Sequence, residues 1–237
     1  MSERGLASRR EADRLIEEGC VLVDGEVVST LGVKFPRTVE ITLTSKGERT
    51  QSQRVTIMLN KPVGIVSAQA EEGYTPAIRL INTQSRSSLD RSSSRLQKAH
   101  LQGLAPAGRL DIDSQGLLIL TQDGRVAKHI IGESSQVDKE YLVRVNQVAS
   151  KEQLRQLRFG LSLDGQALKR ARVDQINNEQ LKFCLTEGKK RQIRRMCELV
   201  GLHVVGLKRV RIGSLKLGRL AEGEWRFVDA NELLGRS

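Results

Sequence analysis

Apolar positions fall first into a helical stripe and then into short runs of β character. Ala12, Leu15 and Ile16 recur at i, i+3 and i+4, which predicts an amphipathic helix. Ser8 and Glu11 form a capping box at its start, and Gly19 stands where such a helix closes. Val21–Val28 holds two β-rich runs around Asp24-Gly25, the signal of a hairpin. Apolar residues almost vanish between Ser45 and Arg54. This predicts a linker over 47–54, between a small N-terminal unit (1–46) and a larger domain (55–237).

The larger domain opens with Val55–Leu59, a strand of the buried type, ended by the turn Asn60-Lys61-Pro62-Val63-Gly64. Leu117–Leu120 is a second buried run. Asp123 caps a predicted helix carrying Val126, Ala127, Ile130 and Ile131, closed by Gly132. Tyr141–Val145 alternates as a strand. Ser150 and Gln153 form another capping box, for a helix carrying Leu154 and Leu157. Leu181–Leu185 is a strand, and Gln192–Val200 a helix with Ile193, Met196, Cys197 and Val200 inward. Val204–Ile212 is a strand, and Asp229 with Glu232 caps a last short helix. Strands and helices mix without regular βαβ alternation, so the pattern predicts an α+β fold. Thr83–Leu104 is rich in Ser, Arg and Gln and predicts a flexible insertion over 83–104.

Charge adds a partner to this picture. Lys and Arg number 39 against 28 Asp and Glu, a net charge of +11. Most of the excess sits in two places. Lys189, Lys190, Arg191, Arg194, Arg195, Lys208, Arg209 and Arg211 face one opposing carboxylate, Glu198; Arg86, Arg91, Arg95 and Lys98 face Asp90. Excess charge this localised reads as a surface for nucleic acid. Seven aromatic residues are too few for a sheet that stacks successive bases. Three scattered cysteines and three scattered histidines give neither a disulfide framework nor metal-ligand spacing. No apolar run is long enough to span a membrane, and the first residues lack a signal peptide's apolar stretch. The expectation is a soluble cytoplasmic protein.

Candidate chemistry lies at Gly108-Arg109-Leu110-Asp111-Ile112-Asp113-Ser114-Gln115-Gly116. If the segment is extended, Asp111 and Asp113 point the same way, opposite Leu110 and Ile112. A carboxylate there can act as nucleophile or base. It can equally cap backbone amides in an Asp-rich turn.

The whole string Gly-Arg-Leu-Asp-x-Asp-x-x-Gly-Leu-Leu-x-Leu-Thr at 108–121 resembles the signature of the RsuA-type ribosomal RNA pseudouridine synthases. The resemblance continues in order through Leu59–Gly64, Lys139-Glu140-Tyr141, Gly188–Met196, Arg209–Ile212 and Gly223–Arg226. The segment from Ser8 to Val28 resembles the S4 RNA-binding domain that precedes the catalytic domain in this family. It begins part-way through that domain's first helix, which reads as a shortened N-terminus.

The resemblance implies a small S4 domain followed by a catalytic domain with a mixed, largely antiparallel sheet flanked by helices. It implies isomerisation of uridine to pseudouridine in ribosomal RNA, with no redox cofactor, metal or ATP. The end of the chain is similar to the large-subunit enzymes, so 23S RNA is the expected target and 16S RNA the alternative. A non-catalytic S4-type RNA binder or assembly factor is the competing class, and a monomer is expected.

Residue by residue, the resemblance makes Asp111 the catalytic carboxylate and Arg194 its ion-pair partner. Tyr141 stacks on the uracil or assists proton removal, Ile193 walls the pocket, and Arg109 contacts RNA or orients the loop. Asp113 has a turn-capping role. Lys189, Lys190, Arg191, Arg195, Lys208 and Arg209 would hold phosphates, and Ser8, Arg9, Arg10 and Arg14 would grip a neighbouring RNA element.

Overall fold

A computed structural model describes residues 1–2, 4–68, 73–229 and 232–233. The N-terminal unit begins with helix α1 (Arg9–Glu17), capped by Ser8 as the sequence predicts; Ser8 Oγ accepts from Glu11 N at 3.4 Å. Strands β1 (Val21–Val23) and β2 (Glu26–Val28) form the hairpin, with Asp24 and Gly25 both at positive φ. Strand β3 (Ile41–Leu43) pairs with the other edge of β1. Ala7, Ala12, Leu15, Cys20, Val21 and Val23 make the small core.

The segment expected as a linker is a helix, α2 (Ser45–Ser52). It lacks an apolar stripe but has other supports. Thr44 Oγ1 accepts from Gly47 N at 3.3 Å, and Gln51 Nε2 donates to Leu6 O at 2.8 Å and Glu11 Oε1 at 3.0 Å. Arg54, just beyond it, pairs with the same Glu11 carboxylate. Polar side chains facing a buried carboxylate do here what apolar ones do in an ordinary amphipathic helix.

The larger domain is built on one sheet. Its main strands are β4 (Thr56–Lys61), β5 (Gln115–Thr121), β6 (Lys139–Val145), β9 (Arg172–Asn177), β10 (Gln180–Leu185), β11 (Val204–Ile212) and β12 (Trp225–Val228). A small hairpin, β7 (Ser162–Leu163) and β8 (Gln166–Ala167), stands apart from it. The order is β9-β10-β6-β11-β5-β4-β12, and only β11 and β5 run parallel. The mixed, mostly antiparallel α+β architecture is the one expected.

Helices cover both faces at the centre. Helix α3 (Gly124–Ile131) packs Val126 and Ile130 against Met58, Leu117, Ile119 and Ile212. Helices α4 (Lys151–Arg158) and α5 (Gln192–Leu199) pack Leu157, Ile193, Met196 and Cys197 on the other face, against Leu118, Val143, Leu181 and Phe183. Every residue of β4 is buried, its polar Thr56, Asn60 and Lys61 included, as befits a strand inside a sheet covered on two faces.

Two glycines mark close approaches. A Cβ on Gly116 (φ 104°) would lie 2.3 Å from Arg209 O, so β5 can begin beside β11 only with glycine there. A Cβ on Gly124 would lie 2.2 Å from Ser8 Cβ, where α3 meets the N-terminal unit.

The 83–104 segment is not a loose insertion. Arg86 donates to Asp90 Oδ2 (2.8 Å), Ser92 O (2.8 Å) and Ser94 O (2.7 Å), and its guanidinium lies 5.1 Å from the Phe227 ring centroid. Ser87 N donates to Trp225 O at 2.8 Å. One arginine with five donors satisfies the carbonyls of a loop that has few apolar residues of its own. The predicted last helix around Asp229 and Glu232 falls largely outside the described residues.

Candidate active site

The irregular segment 108–114 enters β5 and is tied down from three sides. Gly64 N donates to Ile112 O at 2.8 Å. Ser67 Oγ donates to Leu110 O at 2.6 Å, and Leu110 N donates back to Ser67 Oγ at 2.9 Å. Arg209 Nη2 donates to Gly108 O at 2.9 Å. The segment forms one wall of a cleft of about 490 Å³, a volume that suits a small ligand or one nucleotide. The other walls are the end of α3 with the loop after it, β6 at Tyr141, and the turn 185–191 leading into α5.

Asp111 lines this cleft, half-buried, and its carboxylate has no hydrogen-bond or ion-pair partner among the described residues. Tyr141 and Ile193 are walls, 9% and 4% exposed. Tyr141 pairs in register with Phe183 on β10 and Arg209 on β11, which fixes the ring's side of the sheet. Arg109 is exposed at the mouth, and its guanidinium is free among the described residues.

The ion pair expected of Arg194 goes elsewhere. Arg194 Nε lies 3.2 Å from Asp113 Oδ2, Nη2 donates to Asp113 O at 2.8 Å, and Nη1 donates to Val204 O at 3.1 Å. Arg191 Nη2 joins the same carboxylate at 2.9 Å. Arg191 has φ 52° at the start of α5, a left-handed conformation that this contact helps to hold. Burial opposes ionisation of Asp113, yet the Arg191 hydrogen bond and the Arg194 charge hold its carboxyl below the usual range. Asp113 is therefore a clamp between the loop and α5, where a turn cap was expected. The reason is reach: α5 begins beside Asp113, while Asp111 turns into the cleft.

Lys61 is a residue that pattern reading missed. Its side chain is fully buried, and Nζ donates to Pro62 O (2.8 Å) and Ile65 O (2.7 Å), folding the turn that then bonds Ile112. Burial pushes its ammonium down to about 8, against the pull of the Asp111 and Asp113 carboxylates. The signal was a lysine closing an otherwise buried strand run. Lys139 behaves similarly at the cleft's edge, donating to Ile130 O and Val137 O at 3.0 Å each.

Residues 55–199 match the family model of the RNA pseudouridylate synthases. The chain belongs to that family. Residues 1–39 match the S4 domain. The dual-specificity RNA pseudouridine synthase RluF of Escherichia coli K12 is 35% identical over 99% of this chain and 75% of its own length. The ribosomal large subunit pseudouridine synthase B of Bacillus subtilis is 34% identical, over 98% of this chain and 91% of its own length. A solved pseudouridylate synthase covers 100% of this chain and 96% of its own, with a TM-score of 0.68 at 26% identity.

Within this synthase the expected phosphate holders divide. Lys189, Lys190 and Arg191 line the cleft. Lys189 Nζ donates to Gln166 Oε1 at 3.1 Å, and Lys190 has no partner among the described residues. Arg195 is bound to Asp164 through both terminal nitrogens, at 2.9 and 2.6 Å.

Arg209 is no phosphate holder. It is 2% exposed and donates to Leu117 O at 2.8 Å as well as to Gly108 O. Strand alternation puts Lys208 on the face opposite Leu207 and Arg209, away from the cleft they line. In the S4 unit Ser8 is occupied by capping α1 and packing on Gly124. Arg9 is exposed, and Arg14 is exposed beside Glu18 at 3.9 Å. The Arg10 side chain lies outside the described residues. Among the described residues no cluster suited to a metal occurs, and no helix is long and apolar enough to cross a membrane.

Proposed function

We propose that this synthase isomerises a uridine of ribosomal RNA, with large-subunit (23S) RNA as target and small-subunit (16S) RNA as the alternative. The observation that carries the reading is Asp111, a carboxylate with no hydrogen-bond or ion-pair partner among the described residues, in a cleft that Tyr141, Ile193 and the cations Lys189, Lys190 and Arg191 also line. Two relatives support the substrate class, one named for the large ribosomal subunit.

The target base leaves its stack and enters the cleft, which costs a few kcal/mol. Asp111 meets the positive charge that develops at C1′ as the N1–C1′ bond breaks, by attack there or by removing a neighbouring proton. The uracil stays in the pocket against Tyr141 and Ile193 and turns to present C5. C5 then joins C1′, the C5 proton leaves to solvent, and N1 takes up a proton, so the product is an isomer of the uridine. Nothing is oxidised or hydrolysed, so the chemistry calls for no redox cofactor, metal or ATP. Arg109, Lys189, Lys190 and Arg191 hold phosphates at the mouth, while Arg9, Arg10 and Arg14 of the S4 unit grip a neighbouring element. The protein acts as a monomer. The three unpaired cysteines suit a reducing cytoplasm.

The test is tritium release from RNA labelled at uridine C5, with 23S, 16S and transfer RNA as separate substrates. Wild type should release tritium from 23S RNA. Asp111→Ala should release none and still bind. Release by Asp111→Ala at the wild-type rate would remove the carboxylate from the mechanism. RNA binding without release from any substrate would favour the S4-type binder.

A further inference from the structure

Of the seven aromatic rings, Tyr141, Phe183, Trp225 and Phe227 are buried, and Phe35, Tyr74 and Phe159 are exposed. Phe159 is the most open of them, at 59%, and belongs to none of the three apolar cores. It follows the last turn of α4. The Arg170 guanidinium lies over its ring, 4.4 Å from the centroid. Among the described residues, Phe35 and Tyr74 have no such cation. One face of the Phe159 ring is thus covered by a cation, and the exposure belongs to the rest of it.

This pair is wired to the cleft. Ala171 N donates to Arg158 O at 3.0 Å, so 158–159 and 170–172 run side by side. The chain between them forms the β7–β8 hairpin, which is held by α5 through Arg195–Asp164 and by the turn before α5 through Lys189–Gln166. Lys169, next to Arg170, lines the cleft, and its backbone N–H donates to Glu187 Oε1 at 3.1 Å. Arg158, Lys169, Arg170 and Arg172, close to Phe159 along these two paired segments, are all exposed, and Arg170 is the one that lies over the ring.

We propose that Phe159 and Arg170 form a stacking subsite for an unpaired nucleobase of the substrate RNA, next to the flipped uridine. Every base has a π face, so a phenyl ring backed by a guanidinium accepts any of them, and the surrounding cations draw in the phosphates. A single platform needs only one exposed ring, which a chain this poor in aromatics can supply. The subsite rests on the reading of the 108–194 cleft as the place of isomerisation.

The test uses the full chain and a 23S RNA fragment that wild type isomerises. 2-Aminopurine is placed at each unpaired position flanking the modified uridine. Phe159→Ala should raise KM about five- to hundredfold, the effect of losing one stacked base, and lower kcat much less. Quenching of 2-aminopurine should vanish at one position. Phe159→Trp should restore both, Phe159→Leu should not, and the salt slope of binding should stay unchanged because no phosphate contact is lost. Arg170→Gln should show a smaller loss at the same position.

Equal KM and an equal quenching profile for Phe159→Ala would overturn the subsite. So would rescue by leucine, which would mean apolar bulk without stacking. Unchanged RNA affinity together with wild-type self-association lost in Phe159→Ala would assign the ring to a protein contact instead. Failure of wild type to isomerise any fragment would overturn the cleft reading itself, and is separable because it precedes any Phe159 variant.

Discussion

The basic stretch from Lys189 to Arg211 splits into two regions that share a charge and little else. At the start of α5, Lys189, Lys190 and Arg191 stand on a turn that opens into the cleft. On β11, Arg209 is buried against backbone carbonyls, Arg211 is held by Asp138 at 2.7 and 2.8 Å, and Lys208 faces away. The difference follows from the backbone. A turn before a helix leaves its side chains to solvent, whereas a central strand puts every second one against its neighbours. Cations on the turn can act on a substrate. Those on the strand act first on the fold, and through it on the loop that carries Asp111.

The strongest way to break that comparison is Arg209→Met. The change keeps much of the bulk and leaves the carbonyls of Leu117 and Gly108 without their donor. A loss of about 2–4 kcal/mol is expected, enough to lower Tm by about 5–15 °C. Thermal unfolding followed by circular dichroism measures it. If Arg209→Met melts with wild type and only RNA affinity falls, Arg209 is a phosphate holder after all.

Asp113→Asn sharpens the comparison at the seam between the two regions. The clamp from Arg191 and Arg194 weakens, and Asp111 loses part of its fixed position. Turnover should drop about 10- to 100-fold, as small misplacements of a reacting group do, while RNA affinity stays within about twofold. Single-turnover tritium release against filter binding separates the two. Loss of affinity in step with turnover would make Asp113 part of RNA binding.

What the sequence made legible follows the same division. Periodicity is local, so α1, its hairpin, β6 and α5 could be read from residues within a few positions of one another. Asp111 was legible because it stands in a continuous string. Partner choice was not, because it depends on what the fold brings together from afar. Arg209 finds Leu117 and Gly108 about a hundred residues away, and Arg194 reaches Asp113 across a similar distance. Lys61 was hidden for the converse reason: its acceptors, Pro62 O and Ile65 O, are close by, but a buried lysine looks in sequence like an exposed one. The 83–104 segment misled because polar composition was read as looseness, whereas Arg86 binds three of its groups at once.

A third comparison sets Lys189 and Lys190 against Lys208. Replacing the first two with alanine should weaken RNA binding by about tenfold at low salt and reduce the slope of log affinity against log salt by about 1–2, with Tm unchanged. Lys208→Ala should leave both within error. Titration of labelled RNA at several salt concentrations measures the slopes, and an equal effect of Lys208→Ala would mean that the RNA wraps to the far face of the sheet.

The smallest effect belongs to Arg211, the cation of β11 that is held in an ion pair with Asp138. Its hydrogen bonds hold the Asp138 carboxyl down at about 2, and in the unfolded chain that carboxyl returns to its usual value near 4. A carboxyl depressed by folding stabilises the folded state above its unfolded pKa, and that stabilisation is lost as pH falls toward the folded one. Between about pH 5 and 2 the wild type should therefore lose urea stability more steeply than Asp138→Asn, which has no proton to take up there. The carboxylate is 34% exposed, so solvent and salt screen the pair, and the difference should shrink further in 0.5 M salt. Parallel curves for the two proteins would show that Arg211 contributes nothing through its charge and that its role on β11 is packing alone.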